Sequence, residues 1–519
     1  MEYLQSFDPT LAVDLLDSSP EEGTGAAEQP FISRVKGMPN EHFLSCLFMT
    51  YEHLLLALGR ASCVHEFLLQ NMPSGSGDKG DEARQQAEAV RALSKSCVTT
   101  ALDLSQRSVA QLLNLRKDSI TKLPVEKMKF LWETSLHFCA EVEKLAGEER
   151  GCAYTVRQAL VAQTTNFLAA LHDQYKLALT STLDCEKWVQ CDVGVERQTK
   201  IDKLCGGGFV LGGGTSAPSA AAAAAAAVSA SSSSSSSSSK QKNPAIVDGK
   251  QFKVTWSALL LTEQVVSYLD MAVSFSPAVG EIIANCCSLF KLFNLTTLKL
   301  ILGSGAQKSQ AQLKSISAKH LAITSQSIGL VYALLPHLRA AFLALLQHPG
   351  RQQVQLLELD RVTHELLDHH GQILAKFVVI LGDSVEGSRE KLNNFDFDRV
   401  AAGAKCDYFE DVARNVATLH RVLLDALPPG EVNDVFSRIF QLLGRKCLAH
   451  FEQGEVMPLT ATGRARILDE VHWLGAGFAQ LKGGVVGGEE GIASIERGFR
   501  KRYGEQVEGD GADTGSAKE

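Results

Sequence analysis

No two cysteines in this 519-residue sequence stand at the C-x-x-C spacing of a zinc ribbon or a thioredoxin-like motif, although there are twelve of them. They are scattered, and in a chain of this kind such thiols are expected to stay reduced and to serve mostly as small apolar core residues. Basic clusters are also missing. No four Lys or Arg stand together, and the net charge is −8 with an isoelectric point near 6.0, which argues against the basic stripe of a nucleic-acid binder. The first residues, MEYLQSFDPTLAVDLL, carry acids where a secretory signal has a basic region before an apolar core. No apolar run reaches the length that a bilayer-spanning helix needs, so the expectation is a cytosolic protein that touches membranes only from outside. No G-x-S-x-G nucleophile elbow occurs, which leaves an enzyme reading without a motif.

Aromatics are only 7% of the chain, and few Val, Ile, Thr or Tyr runs alternate with period two, whereas Leu and Ala recur at helical spacing. The predicted fold class is therefore all-α, with antiparallel helix bundles joined by short corners. Five regions follow from composition. Residues 1–35 are rich in Pro, Gly, Ser and acids and read as poorly ordered. Residues 36–205 form a first helical bundle. Residues 206–248 hold glycine triplets, an alanine run and a serine run, and have no side chains able to build a core. Residues 249–485 form a second bundle, and 486–519 a short basic segment with a tail. Within the second bundle Leu359, Leu366, Ile373 and Ile380 recur every seven residues, with Leu367, Leu374 and Leu381 beside them, as one wide apolar stripe. LPPG at Leu427 to Gly430 ends one helix and opens the next.

Several stretches imitate chemistry. GSGAQKS, Gly303 to Ser309, sounds like a phosphate loop, but with Lys308 and Ser309 in the last two places the required glycines fall on Leu302 and Gln307. The preceding SLFKLFNLTTLKLIL reads as helix rather than strand, so Gly303 and Gly305 are expected at a helix C-terminus with positive φ. HELLDHH, His364 to His370, nearly spells H-E-x-x-H, yet the second ligand position is Asp368. His364 and Asp368 lie opposite the stripe and are expected in solvent, while His370 is expected to pack near Phe377. ERGFRKRYG follows Ile492 and Ile495 and could lay Phe499 on an anionic membrane. An ordinary terminal helix is the simpler reading, since a few charges hold lipid weakly. No cofactor or metal is expected.

Taken together, five strings resemble the vacuolar protein sorting-associated protein 54 family. LGSGA, with Gly303 and Gly305, leads into LKSISAKHLAITSQ, with Lys314 and Lys319. LDRVTHELLDHHGQILAKF holds Asp360, Thr363, Asp368, His369 and Lys376; LHRVLLDALP holds His420, Asp425 and Pro428; LDCEKWVQCDV holds Glu186, Trp188 and Asp192. The resemblance implies a vesicle-tethering subunit built as a helical rod, without catalytic residues. With sibling subunits of the Golgi-associated retrograde protein complex and SNARE proteins, it would capture endosome-derived vesicle membrane at the trans-Golgi network. It also implies a peripheral place on the cytoplasmic face of the Golgi, at endosomes and in the cytosol. Family members begin with a coiled-coil region, and no sustained heptad segment stands ahead of the helices here. The rival reading is a free-standing helical adaptor that takes a partner helix in a groove.

Overall fold

The computed structural model describes residues 31–72, 81–147, 153–206, 242–303, 315–346, 349–399, 405–453, 460–481 and 488–503. The helices before the low-complexity tract are α1 (Phe31–Gly37), α2 (Asn40–Asn71), α3 (Asp81–Leu115), α4 (Lys117–Ile120), α5 (Val125–Ala146), α6 (Tyr154–Asp184) and α7 (Val195–Cys205). A hairpin follows, β1 (Ala245–Val247) and β2 (Lys250–Phe252). Then come α8 (Trp256–Ser274), α9 (Val279–Ile301), α10 (Ala318–Leu345), α11 (Pro349–Gly387), α12 (Arg389–Asn393), α13 (Asp407–Ala426), α14 (Pro429–Gln453), α15 (Ala461–Ala479) and α16 (Gly488–Tyr503). The class is all-α, as composition implied, with this one small antiparallel sheet among the described residues.

Contacts divide the chain into two compact units. One takes Met1–Ala178, Ser267–Cys286 and Ala341–Leu356; the other takes Leu179–Val266, Cys287–Ala340 and Leu357–Glu519. The division does not fall at the low-complexity tract, because segments on its two sides bond directly to each other within the second unit. Cys191 N–H donates to the Val254 carbonyl at 2.9 Å, and Val193 N–H to that of Asn243 at 3.1 Å. The Gln198 amide accepts from Ile246 N–H at 3.0 Å and donates to its carbonyl at 2.7 Å, so a side chain on α7 extends the β1 ladder.

In the first unit, α2 packs on α3 and α5. The Tyr51 ring stacks on Phe138 at 4.5 Å and its hydroxyl meets Ser135 at 2.9 Å. Arg116 lies over Phe43 and holds α1 in place through the carbonyls of Val35 and Lys36. In the second unit, α13 buries Tyr408, Phe409, Val412, Val416, Leu419 and Leu423, a spacing that keeps one face inward. Leu427 leaves the helix in extended geometry, and Pro429 opens α14.

Three expectations change. Leu366 and Ile373 are fully buried and Leu374 and Leu381 nearly so, but Leu367 is 49% exposed and Ile380 only half-buried, so the stripe is narrower than its sequence suggested. Cys63, Cys97 and Cys185 are exposed rather than packed in a core. Two stretches, Ser276–Ile301 and Ala318–Leu345, are after all long and apolar enough to cross a membrane by length and composition. They serve as core helices here: Asn294, Thr297, Thr324, Ser325, Gln326 and Ser327 are buried along them, which hydrocarbon would penalise.

Candidate interaction surface

The residues that carried the resemblance do not converge on one site; some are buried in polar contacts and others are exposed. Glu186 lies just past the end of α6 and is buried. Its Oε1 accepts from the backbone N–H groups of Lys187 at 3.0 Å and Trp188 at 3.3 Å, while Oε2 accepts from Ser257 N–H at 2.9 Å. Ser257 is the second residue of α8, so the carboxylate caps that helix from a distant part of the chain, where its negative charge meets the positive end of the dipole. Thr255 N–H donates to the Ser327 hydroxyl at 3.0 Å, tying α10 to the same point. Trp188 takes a positive φ of 54° and is almost wholly buried. Asp192 accepts from Asn243 N–H at 2.7 Å. LDCEKWVQCDV is thus a structural clasp.

On α11, Asp360 forms a two-pronged ion pair with Arg339, at 2.7 and 3.2 Å, and the Thr363 hydroxyl donates to the Leu359 carbonyl at 2.9 Å. His369 donates from Nδ1 to Asn294 at 2.6 Å; burial pushes its pKa down to about 4, so the ring is neutral, with Nε2 buried and without a hydrogen-bond partner. His364, Asp368 and Lys376 are exposed, as the helical phase required, and so is Lys319. Asp368 accepts from Gln372 at 2.8 Å. Among the described residues no three His, Cys, Asp or Glu side chains converge as metal ligands.

His420 is buried edge-on to Phe436, with ring centroids 4.9 Å apart, and burial lowers its pKa. Asp425 is exposed and pairs with Lys253 at 3.4 Å; the Pro428 carbonyl accepts the first N–H groups of α14. Gly303 follows the last turn of α9, so a helix precedes GSGAQKS. Its φ is not positive; glycine is required there because a Cβ would approach the Lys299 carbonyl to 2.8 Å. Gly305, Lys308, Ser309 and Lys314 lie outside the described residues. On α16, Ile495 and Phe499 are buried and Phe499 sets its ring edge-on to Phe451 at 5.2 Å. The helix packs on α14 and α15, so the face holding Ile495 and Phe499 is already covered.

One cluster gave no sign in the sequence. His370 Nε2 meets the Ser325 hydroxyl at 2.9 Å and Glu431 Oε1 at 3.6 Å, and Gln326 donates to Glu431 Oε2 at 3.4 Å. Serine, histidine and carboxylate suggest a hydrolytic triad, but both partners address the same ring nitrogen, whereas a triad needs the acid on the other one. Burial lifts Glu431 from 4.5 to about 7, with Lys250 opposing, and lowers His370. The folded chain holds the Glu431 proton more tightly than the unfolded chain. This group's contribution is therefore complete below about 4.5 and is lost as pH rises through about 7. Glu431→Gln, which cannot ionise and keeps an oxygen for Gln326, is expected to raise stability by about 2–3 kcal/mol at pH 8 and far less at pH 5. Denaturant midpoints at the two pH values check this; equal shifts at both would refute it.

Residues 249–384 match the family described as Vps54-like protein. Over that segment the chain is similar to the Vps54-like family. Over 352 residues it is 26% identical to human vacuolar protein sorting-associated protein 54, covering 66% of this chain and 33% of that protein. The Arabidopsis thaliana protein named vacuolar protein sorting-associated protein 54, chloroplastic, is 23% identical over 421 residues, 70% of this chain and 40% of its own length. The Schizosaccharomyces pombe protein is 23% identical over 330 residues, 63% and 33%. This chain therefore spans about a third of the length of the human relative.

Proposed function

We propose that the chain is a subunit of a multisubunit vesicle-tethering complex of the Golgi-associated retrograde type, acting in transport from endosomes to the trans-Golgi network. The observation that carries this reading is the Vps54-like match over 249–384, a segment that includes the motif residues Asp360, Thr363, His369 and Lys376. Its partners on this reading are sibling subunits, SNARE proteins and, peripherally, the endosome-derived vesicle membrane, with no nucleic acid. It would work at the cytoplasmic face of the Golgi apparatus. No catalytic residue is assigned: the serine–histidine–carboxylate cluster found among the described residues has the wrong geometry, and the clasp at Glu186 is satisfied by backbone.

Affinity purification of the tagged full chain from its own cells is expected to recover the other subunits of such a complex in stoichiometric amounts. Recovery of the chain without them, at expression levels near the natural one, would overturn the reading in favour of a free-standing helical adaptor.

A further inference from the structure

Glu431 is an acid where a helix favours one, but among neighbours that do not. It stands in the first turn of α14, at the positive end of the dipole, yet its side chain is only 28% exposed and that of His370 beside it 16%. Three helices converge on this point: α10 brings Ser325 and Gln326, both buried, α11 brings His370, and α14 brings Glu431. The charged or titratable groups turned toward the carboxyl are Lys250 of β2, which favours its ionisation, and His370, which burial keeps neutral at pH 7. Others nearby are engaged elsewhere: His369 with Asn294, Asp425 with Lys253, and Asp434 with Arg438.

The two forms of Glu431 do not fit this point equally well. As the acid it is neutral, one oxygen accepts from Gln326 at 3.4 Å, and the other faces the His370 ring nitrogen. As the carboxylate it needs donors, and the side chains at hand supply few. His370 Nε2 carries one hydrogen at most, and the Ser325 hydroxyl at 2.9 Å lies closer to it than the Glu431 oxygen at 3.6 Å. Lys250 offsets part of the charge, but burial outweighs it and lifts this group from 4.5 to about 7. The carboxylate regains water if the first turn of α14 moves outward. That turn follows directly on the extended Leu427 and the proline corner, and the N–H groups of Glu431 and Val432 both go to the Pro428 carbonyl at 3.1 Å, so few bonds hold it.

We propose that the junction of Ser325, Gln326, His370 and Glu431 is a proton-sensitive joint inside the second unit: protonated, it fastens the start of α14 to α10 and α11, and deprotonated, it lets the first turn of α14 and the corner before it open to solvent. The rest of α14 stays in place, because Val435, Phe436 and Ile439 are fully buried. The opening is therefore local.

Hydrogen exchange of the full chain, with each rate divided by the intrinsic rate at that pH, tests this. Protection of the Leu427 and Val432 amides is expected to be about tenfold lower at pH 8 than at pH 6, the ratio set by a group that titrates near 7 when closed and 4.5 when open. Their exchange should respond little to low urea, whereas that of Val416 and Ile373, buried within α13 and α11, should rise steeply with it. Glu431→Gln should hold the corner at its pH 6 level throughout. Lys250→Met removes the charge that favours ionisation and should move the fall to higher pH. His370→Gln keeps a partner for Ser325 and should leave the fall in place. A flat profile at Leu427 and Val432 would mean that Glu431 ionises without movement. Urea dependence equal to that of Val416 and Ile373 would mean that only global unfolding frees the corner, and a fall abolished by His370→Gln would mean that the histidine carries it. Each of these three results overturns the proposal. None of these outcomes bears on whether the chain joins a tethering complex.

Discussion

Leu366→Asp is expected to abolish cooperative folding of the second unit, while Leu367→Asp, one residue on, should leave it nearly unchanged. Leu366 is wholly buried among Leu359, Val362, Ile373 and Phe377, which line the inward face of α11 and are themselves almost completely buried. The substitution removes a packed side chain and sets an unpaired carboxylate in its place. Cavity and desolvation together cost at least about 5 kcal/mol, the lower end of a whole domain's stability. Leu367 is half-exposed, and a charge there costs within about 0.5 kcal/mol. Near-UV circular dichroism and the denaturation midpoint of the full chain give the comparison. Equal behaviour of the two variants would mean that the face of α11 is wrongly phased.

That contrast also marks how far periodicity reaches. It places α11 on the chain and picks its buried heptad, because one strong stripe defines a helix phase. It cannot fix the width of the stripe, since whether Leu367 or Ile380 is covered depends on which helices lie alongside. Local chemistry was similarly direct at LPPG, where two prolines must separate α13 from α14. It was present but unread at IVDGKQF: Asp248 and Gly249 both take positive φ, 49° and 75°, in the hairpin turn that an Asp-Gly pair favours. The three-residue strands are too short for alternation to betray them, and the tract before them drew attention to its own composition. The helix corner at Gly303 was legible, but its physical reason was close approach to a carbonyl rather than positive φ. The cluster of Ser325, His370 and Glu431 left no trace, because its members come from three helices and meet only through packing. A glutamate in the first turn of α14 looks like an ordinary dipole partner until burial makes it costly.

Glu186 has the same lesson in its most consequential form, because a lone acid between two cysteines gives no hint that it closes the unit. Its carboxylate takes three backbone N–H groups, those of Lys187 and Trp188 beside it and that of Ser257 at the start of α8. The positive φ of Trp188 turns its indole into the core and needs this local acceptor to hold the bend. Charge-assisted bonds of this kind contribute about 1.5–3 kcal/mol each, and a buried donor left without an acceptor costs about 1–3 kcal/mol. Glu186→Ala is therefore expected to destabilise the fold by about 3–5 kcal/mol, allowing for partial access of water to the Lys187 amide. Glu186→Gln keeps one carbonyl oxygen but sets an amide N–H₂ against a backbone donor, and should cost about half as much. Hydrogen exchange of the full chain distinguishes a local clasp from a global effect. Amides of Trp188, Ser257 and Ala258 should lose protection in Glu186→Ala before those of α13 and α14 do. If the protection of Ser257 is unchanged, the clasp does not hold α8. In that case the two sides of the low-complexity tract are held together by the other bonds across it, such as those of Cys191 to Val254, Val193 to Asn243 and Gln198 to Ile246.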